Sequence, residues 1–400
     1  MLQYWIWFAT RKDLPLWQKK ALLQQYENPE DIFYADPQML GTLENMTPAM
    51  VSSLQERDLS EAEDILKKCR KKNIEILPFW DEKYPERLRN IEDPPVVLYF
   101  RGILPQWDTH PFLAVVGTRK ATAYGQQMAG RLGEEIARCG GTVVSGGASG
   151  IDSRALEGAL NTGCPAVCVL GCGADVIYPR TNRRLFSQIA ENGCILSEYS
   201  PGEKPLGWHF LQRNRILSGI SHGVVVVEAP ERSGALNTAR HGLEQGRDLY
   251  AVPANVGVAA YAGSNRLLQQ GAMAVLNGWD AVKSYALCYP DTVRQQHESA
   301  GEFMESSPSK VAQKPLIPEK VQKISIDNLE KSSYSVLNDG KTVLTDEEQA
   351  ILGLLSRHPV HSDQVAEQSD LPEARVQSLL TKLTLRGYIQ HHPGGRVSLK

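Results

Sequence analysis

The feature that most constrains this chain is a regular alternation of short apolar runs with helical patterns between residues about 74 and 287. The runs have four to eight residues, and most are followed by an amphipathic segment such as "YGQQMAGRLGEEIARCG". Near-continuous apolar strands joined by helices are typical of a parallel sheet covered on both faces. We therefore predict an α/β fold with a Rossmann-like, doubly wound, mostly parallel sheet. The runs are "IEIL", "VVLYF", "FLAVVG", "GTVVSG", "PAVCVLG", "CILSE", "GVVVVEA" and "DLYAVP".

The patterns divide the chain into four predicted segments. Residues 1–72 contain short helices with Asp, Ser or Thr at their starts, and they resemble a helical (SAM-like) domain; a packing or protein-contact module is an equal alternative. Residues 73–288 hold the Rossmann-like core. Residues 289–343 are rich in Pro, Ser, Gln, Lys and Glu, which indicates a flexible linker. Residues 344–400 combine three short helices with a Gly-Gly hairpin, the pattern of a winged helix.

Charge and cysteine usage exclude several classes of protein. The net charge of −3 argues against a uniformly basic nucleic-acid coat. The apolar "MLQYWIWFAT" is too short for a membrane span and lacks a signal-peptide layout, so we expect a cytoplasmic protein without membrane contact. Cys164, Cys168 and Cys172 would share one strand face with ends over roughly 20 Å apart, too far for one ion. We predict that they are core residues, with no metal site, no disulfide and no cofactor.

The loops that follow the predicted strands combine small residues with arginines. Glycine admits positive φ and close backbone approach, and free N–H groups at a helix start favour an anion. The loops lack the glycine pattern of a dinucleotide site and the Walker pattern. Arginines that alternate with amides and aromatics suit single-stranded nucleic acid, although solvated arginines beside core aromatics are the alternative. These residues are Arg119, Arg180, Arg183, Arg184, Arg213, Arg215, Arg232, Asn182, Asn214, Asn237, Tyr178, Trp208 and Phe210.

Ordered blocks between residues about 84 and 272 carry a resemblance to a known family. They include "AVVGTRKATAYG", "SGGASGID", "VLGCGADVIYPRTNRRL", "FLQRNRILSGIS" and "VVVEAPERSGALNTA". Together they resemble the DNA-processing protein A (DprA/Smf) family. The resemblance implies a non-enzymatic protein that binds single-stranded DNA, protects incoming strands in natural transformation and loads RecA onto them. It also implies a homodimer formed through the Rossmann-like core.

The resemblance assigns phosphate contacts to Arg119 and Arg180, and it places Arg213, Asn214 and Arg215 in the same pocket. This chain departs from the family pattern at Leu156, Leu211 and Asn255, which affects the expected pocket rim. The full set of predicted DNA-binding residues is Gly117, Thr118, Arg119, Ser145, Gly146, Gly147, Gly150, Gly173, Tyr178, Arg180, Asn182, Phe210, Arg213, Asn214 and Arg215. No catalytic residue is predicted.

The stretch "SGGASGID" leaves two questions open. We expect Gly146, Gly147 and Gly150 to bring the loop against a DNA phosphate or sugar, while Asp152 caps the helix or fixes an arginine rather than acting in catalysis.

The alternative function is a nucleotide-binding or nucleotide-hydrolysing enzyme of the phosphoribohydrolase-like Rossmann group. Against it, "APERSGALNTAR" lacks the Gly-Gly pair and the glutamate that this group uses. A small-nucleotide sensor would use the same loops.

Overall fold

The computed structural model describes residues 1–295, 345–356, 360–369, 371, 373–385, 388–392 and 396–399. The chain divides into two compact units, Met1–Met304 and Glu305–Lys400. Most of the predicted linker, from residue 296 to 343, lies outside the described residues. The four segment boundaries stay a prediction.

The first unit is built on a nine-stranded sheet. Its strands, in chain order, are β1 Glu75–Pro78, β2 Val97–Gly102, β3 Phe112–Val116, β4 Thr142–Ser145, β5 Ala166–Leu170, β6 Cys194–Ser197, β7 Gly223–Val226, β8 Asp248–Ala251 and β9 Met273–Ala274. They lie in the order β1-β2-β6-β5-β4-β3-β7-β8-β9. Only β1 with β2 and β2 with β6 pair antiparallel in this sheet. The predicted mostly parallel, Rossmann-like fold is confirmed, and β9 is a strand that the apolar pattern did not indicate.

Helices surround the sheet and precede it. They are α1 Leu2–Thr10, α2 Leu16–Gln25, α3 Pro29–Tyr34, α4 Pro37–Gly41, α5 Pro48–Gln55, α6 Ser60–Lys71, α7 Glu86–Arg89, α8 Ala123–Arg138, α9 Ile151–Asn161, α10 Arg183–Asn192, α11 Gly207–Ile220, α12 Gly234–Glu244, α13 Ala262–Gln269 and α14 Gly278–Val282. Short 3-10 turns occupy Arg180–Asn182, Ala259–Tyr261 and Lys283–Tyr285. The N-terminal region is therefore helical, while its likeness to a SAM domain stays a prediction.

Alternating side chains of the sheet enter two hydrophobic cores. Along β3, Phe112 and Ala114 face one core, whereas Leu113 and Val115 face the other, as the two-residue period of a strand requires. The first core also contains the N-terminal aromatics, among them Trp7 and Phe8. The N-terminal helices thus share a core with the sheet instead of enclosing one of their own.

The described residues of the second unit form three helices and a three-stranded antiparallel sheet. Its elements are α15 Asp346–Gly353, β10 Val360–His361, α16 Ser362–Glu367, α17 Glu373–Leu385, β11 Ile389–His392 and β12 Arg396–Leu399, with the strand order β10-β12-β11. A capping box joins Thr345 and Glu348 at the start of α15. The predicted winged helix is confirmed, although its Gly-Gly turn lies outside the described residues.

The seven cysteines all lie in the described residues and form no disulfide. Cys168 and Cys172 are buried, and Cys164 is half-buried. Across the part of the chain that the structure describes, no helix combines the length and the apolar character that a membrane crossing needs.

Candidate nucleic-acid interface

A pocket of about 410 Å³ opens at the carboxyl ends of β3 and β7. These strands are neighbours, but their loops lead to α8 and α12 on opposite faces of the sheet, so the pocket lies where the strand order reverses. Ligands of open α/β sheets bind at such a point. The lining residues come from four segments, namely the end of β3 with its loop, the loop and start of α9, helix α11, and the loop and start of α12. They are Val116, Gly117, Thr118, Arg119, Ala148, Asp152, Gly207, Phe210, Leu211, Arg213, Asn214, Leu217, Pro230, Arg232, Ser233, Gly234, Ala235 and Thr238.

The loop that carries Arg119 is anchored on both sides. The Thr118 N–H donates to the Glu228 carbonyl oxygen at 2.8 Å, and the Thr118 carbonyl accepts from the Ile151 N–H at 3.3 Å. The fully buried Glu228 carboxylate accepts from the Thr122 hydroxyl at 2.7 Å, which holds the residue that caps α8. The backbone near Arg119 is therefore fixed, while its side chain is exposed.

Phe210 joins the cationic and aromatic parts of the pocket. The Arg119 guanidinium carbon lies 5.0 Å from the Phe210 ring centroid, and that of Arg213 lies 6.0 Å away. The Tyr178 ring approaches the same phenyl ring at 5.5 Å. Contacts of this kind orient the exposed Arg119 guanidinium over an aromatic ring and leave its N–H groups available for an anion.

Arg213 is buried beneath the pocket and bound to the protein itself. Its guanidinium donates to the Gly146 carbonyl at 3.0 Å and to the Val169 carbonyl. Burial lowers the pKa of Arg213, and the nearby Asp152 opposes that shift. Arg213 therefore supplies a positive charge at a fixed position, because these hydrogen bonds hold its guanidinium in place.

Asp152 is the acid that lines this pocket in the described part of the chain. Burial raises the pKa of its carboxyl to about 6, against the opposing effects of Arg213, of the Ala148 amide and of Arg119. Helix α9 has Gly150 at its N-cap and no side-chain cap. The charges of Arg213 and Arg119 and the amides of Ala148 and Gly117 all favour the ionised carboxyl, and both structural roles of Asp152 stay a prediction.

The glycines of the β4–α9 loop lie against protein atoms. A Cβ at Gly146 would collide with the Arg213 guanidinium, one at Gly147 with Cys168 and Phe186, and one at Gly150 with the Thr118 carbonyl. Gly147 and Gly150 also have φ of +66° and +87°, which side chains rarely adopt. The protein therefore fills the space that a side chain at these glycines would need. The expectation that the loop lies against a DNA phosphate or sugar stays a prediction.

The loop after β5 brings Tyr178, Arg180 and Asn182 beside the pocket. Tyr178 contacts Phe210, and the Asn182 amide donates to the Gly147 carbonyl at 3.0 Å. Arg180 is exposed in the 3-10 turn between them. None of the three lines the pocket itself. They form its rim.

Three predicted site residues lie elsewhere. Ser145 is fully buried and its hydroxyl donates to the Val115 carbonyl at 2.6 Å. Gly173 packs against the Ser200 carbonyl. Arg215 is 1% exposed and forms ion pairs with Glu198 at 2.6 Å and Asp93 at 3.0 Å. The expectation that Arg215 shares a pocket with Arg213 and Asn214 is wrong.

Asn214 lines the pocket as expected and ties two helices together. Its amide donates to the Gly234 carbonyl at 3.2 Å, which fixes α11 against the start of α12.

The three departures from the family pattern lie at different places. Leu211 lines the pocket, Leu156 is fully buried in α9, and Asn255 is exposed away from the pocket.

The sequence prediction missed most of the wall contributed by the loop after β7. Pro230, Ser233, Gly234 and Thr238 line the pocket, together with Arg232, which the sequence pattern indicates only as one cation among several. The sequence feature that could have indicated this wall is the loop of small residues before α12, in which Ser233 is the N-cap. This loop belongs to the pocket because β3 and β7 are adjacent in the sheet, and the sequence does not show that adjacency.

In the residues the structure covers, no group of three or more His, Cys, Asp or Glu is arranged to hold a metal.

Comparisons with known proteins identify relatives along the whole chain. The family model described as DNA recombination-mediator protein A matches residues 75–286, and the DprA winged helix domain matches residues 339–395. Protein Smf of Synechocystis sp. is 31% identical over 98% of this chain and 97% of its own length. The X-ray structure of DprA from Streptococcus pneumoniae has a TM-score of 0.62 and 31% identity, covering 71% of this chain and 98% of that one. A structure of DprA from Helicobacter pylori, described as having a unique single-stranded DNA binding mode, has a TM-score of 0.49 and 33% identity, covering 54% of this chain and 97% of that one.

Proposed function

This chain belongs to the DNA recombination-mediator protein A (DprA/Smf) family, and we propose that it binds single-stranded DNA in the pocket between the ends of β3 and β7. The observation that carries the proposal is the contact of Arg119 with Phe210 above the buried Arg213. A planar guanidinium suits a phosphodiester, and exposed rings suit unpaired bases. A duplex hides its bases, so the same surface favours a single strand.

The proposed contacts fall into three groups. Arg119, with Arg232 on the opposite wall and Arg180 on the rim, supplies cations for the phosphates. Gly117, Thr118 and Asn214 supply backbone or amide groups inside the pocket. Tyr178 and Asn182 supply the aromatic and polar side chains of the rim, and Phe210 is the aromatic side chain of the lining. Arg213, Gly146, Gly147 and Gly150 shape the pocket from below, and no DNA contact is proposed for Ser145, Gly173 or Arg215.

Binding of the full chain to labelled single- and double-stranded oligonucleotides of equal length tests the proposal. We expect tighter binding to the single strand, with an affinity that falls as salt rises because phosphate contacts release counterions. Equal or tighter binding to the duplex would overturn the proposal. So would binding of a nucleoside monophosphate that a long oligonucleotide does not displace.

One observation favours a second candidate, a nucleotide-processing enzyme. The pocket contains a buried carboxyl, Asp152, whose pKa is raised to about 6, and such a group suits general acid–base chemistry. Release of a free base from nucleoside monophosphates, measured by chromatography and lost in Asp152→Asn, would support this candidate. The primary proposal expects no such turnover.

The proposal extends to the partners of the chain. Its family is described as recombination mediators, which supports loading of RecA onto bound strands and protection of incoming DNA in the cytoplasm. RecA filament formation on oligonucleotides already covered by this protein tests the loading step, and nuclease digestion tests the protection. Faster filament growth and slower digestion are the expected results.

We also propose a homodimer through the Rossmann-like core. The sheet ends at β9, whose two residues are exposed. Leu276, two residues after β9, is 62% exposed, and Leu243 at the end of α12 is 59% exposed. An open strand edge next to apolar side chains is a surface that proteins tend to cover.

A further inference from the structure

The start of α11 presents a strip of exposed apolar side chains beside the pocket. We define the ledge as Leu206, Trp208 and Leu211, of which Trp208 and Leu211 are three residues apart and therefore neighbours on α11. Trp208 is 59% exposed and Leu211 is 51% exposed. Leu211 also lines the pocket, so the ledge continues from the pocket wall outward.

The Trp208 side chain is held in place despite its exposure. Its ring meets that of His209 edge to face, with centroids 4.1 Å apart. His209 is 2% exposed and stacks on Tyr199 at 4.0 Å, and the Tyr199 hydroxyl donates to the His209 carbonyl at 3.2 Å. A ring that is both supported and exposed loses little conformational entropy when a flat ligand covers it.

Phe210 is less available than its neighbour. Arg119, Arg213 and Tyr178 already contact its ring, and the residue is only partly exposed. Of the two rings, the one at Phe210 is therefore already covered by neighbouring side chains, whereas the one at Trp208 is open to a flat ligand.

We propose that Trp208 is a stacking platform for a nucleobase of the strand whose phosphates the pocket holds. The inference rests on the proposed function and deepens it, because it assigns base contact to the ledge and phosphate contact to the pocket. The occupant follows from continuity: the ledge adjoins a cationic pocket, with Arg119 and Arg232 in its lining. A polyanion with apolar flat groups matches this pairing of surfaces, whereas an apolar protein segment leaves the arginines unpaired.

The test compares an oligo-dT with an abasic strand of equal length, which keeps the phosphates and lacks the bases. Stacking of one base on an aromatic ring contributes about 1–3 kcal/mol, so Trp208→Ala should weaken oligo-dT binding roughly 5- to 150-fold. Trp208→Phe should recover part of the affinity. Trp17→Ala, which removes a tryptophan 43% exposed on α2, is the matched control and should bind like wild type.

The abasic strand separates base contact from phosphate contact. Wild type and Trp208→Ala should bind it equally, whereas Arg119→Ala should still weaken it. Unchanged oligo-dT binding by Trp208→Ala, with Arg119→Ala impaired, would overturn this inference and leave the proposed function intact. Equal losses by Trp208→Ala on both strands, or a changed oligomeric state in light scattering, would also overturn it. If wild type binds neither strand, the proposed function itself fails.

Discussion

Arg213 and Arg215 lie two residues apart on α11 and serve opposite sides of that helix. Arg213 donates to the Gly146 carbonyl beneath the pocket, whereas Arg215 pairs with Glu198 at 2.6 Å and Asp93 at 3.0 Å. Two residues span about 200° of a helix, so the side chains must diverge. One arginine therefore shapes the pocket, and the other fastens the helix that carries it.

Because Arg215 forms two ion pairs, we expect its substitution to lower the free energy of unfolding strongly. Arg215→Ala leaves the mostly buried Glu198 carboxylate without its partner, and breaking a buried pair in this way costs about 3–5 kcal/mol. Arg154→Ala is the control, because its pair with Glu157 is exposed and contributes at most about 1 kcal/mol. Denaturant unfolding of both variants measures the difference. If both variants lost the same free energy of unfolding, the burial of the Arg215 ion pair would make no difference to stability and the prediction would be wrong.

Arg119 should dominate the affinity for DNA. A charge-assisted contact contributes about 1.5–3 kcal/mol, so Arg119→Ala should bind oligo-dT about ten- to a hundredfold more weakly. The salt slope of its binding should fall by about 0.7 for each phosphate that the variant no longer neutralises. Arg119→Lys should recover only part of the lost affinity, because the lysine ammonium cannot make the bidentate contact of a guanidinium.

A double reversal sharpens the same test. Arg119→Glu combined with Arg180→Glu should abolish binding, since like charges then face the strand. Arg138→Ala is the control because Arg138 ends α8, about 24 Å along a 16-residue helix from the pocket end. Wild-type affinity in the folded double variant, shown by unchanged circular dichroism, would contradict the pocket assignment.

Asp152 should make binding depend on pH. With its pKa raised to about 6, the carboxyl is mostly neutral at pH 5 and mostly ionised at pH 8. A phosphodiester in the same pocket raises this pKa further, so affinity should be highest below pH 6 and fall as the pH rises through that value. Each pKa unit added by DNA corresponds to about a tenfold change in affinity.

Asp152→Asn keeps the shape and removes the titration. The variant should bind at pH 8 nearly as tightly as at pH 5, which fluorescence anisotropy across this range measures. A pH profile that matches wild type would show that another group titrates.

The edge at β9 should control self-association. We expect micromolar wild-type protein to be dimeric in light scattering and Met273→Lys to be monomeric, because a buried lysine at the edge would repel its copy. Ile103→Lys is the control; Ile103 is 65% exposed and follows β2, near the opposite edge of the sheet. A wild-type protein that stays monomeric up to about 100 micromolar would refute the proposed dimer.

The winged helix should contribute little to single-strand binding. Residues 344–400 contain six basic and seven acidic residues. Lys382 pairs with Glu348 at 2.7 Å and Arg375 with Glu347 at 2.6 Å, so these cations are already neutralised. Deleting 344–400 should leave oligo-dT affinity within a few fold, which fits a protein-contact or regulatory role. A hundredfold loss would show that the winged helix binds DNA.

The sequence by itself determined the fold class and the family, because both depend on local patterns. Apolar runs of strand length and intervening amphipathic helices specify a parallel sheet wherever they recur, and ordered blocks such as "FLQRNRILSGIS" specify the family without reference to contacts. They also name Arg119, Phe210 and Asn214, which the structure brings to one pocket, while the contact of these residues with DNA stays a prediction.

Only the tertiary structure decided which neighbours in sequence share the site. The adjacency of β3 and β7 brings Arg232 and Ser233 opposite Arg119, across more than a hundred residues of chain. The rotation of α11 sends Arg215 away from Arg213, and packing fills the space beside Gly146 with that arginine. A motif states which side chains are present, but their direction and their burial depend on long-range packing, which no local pattern records.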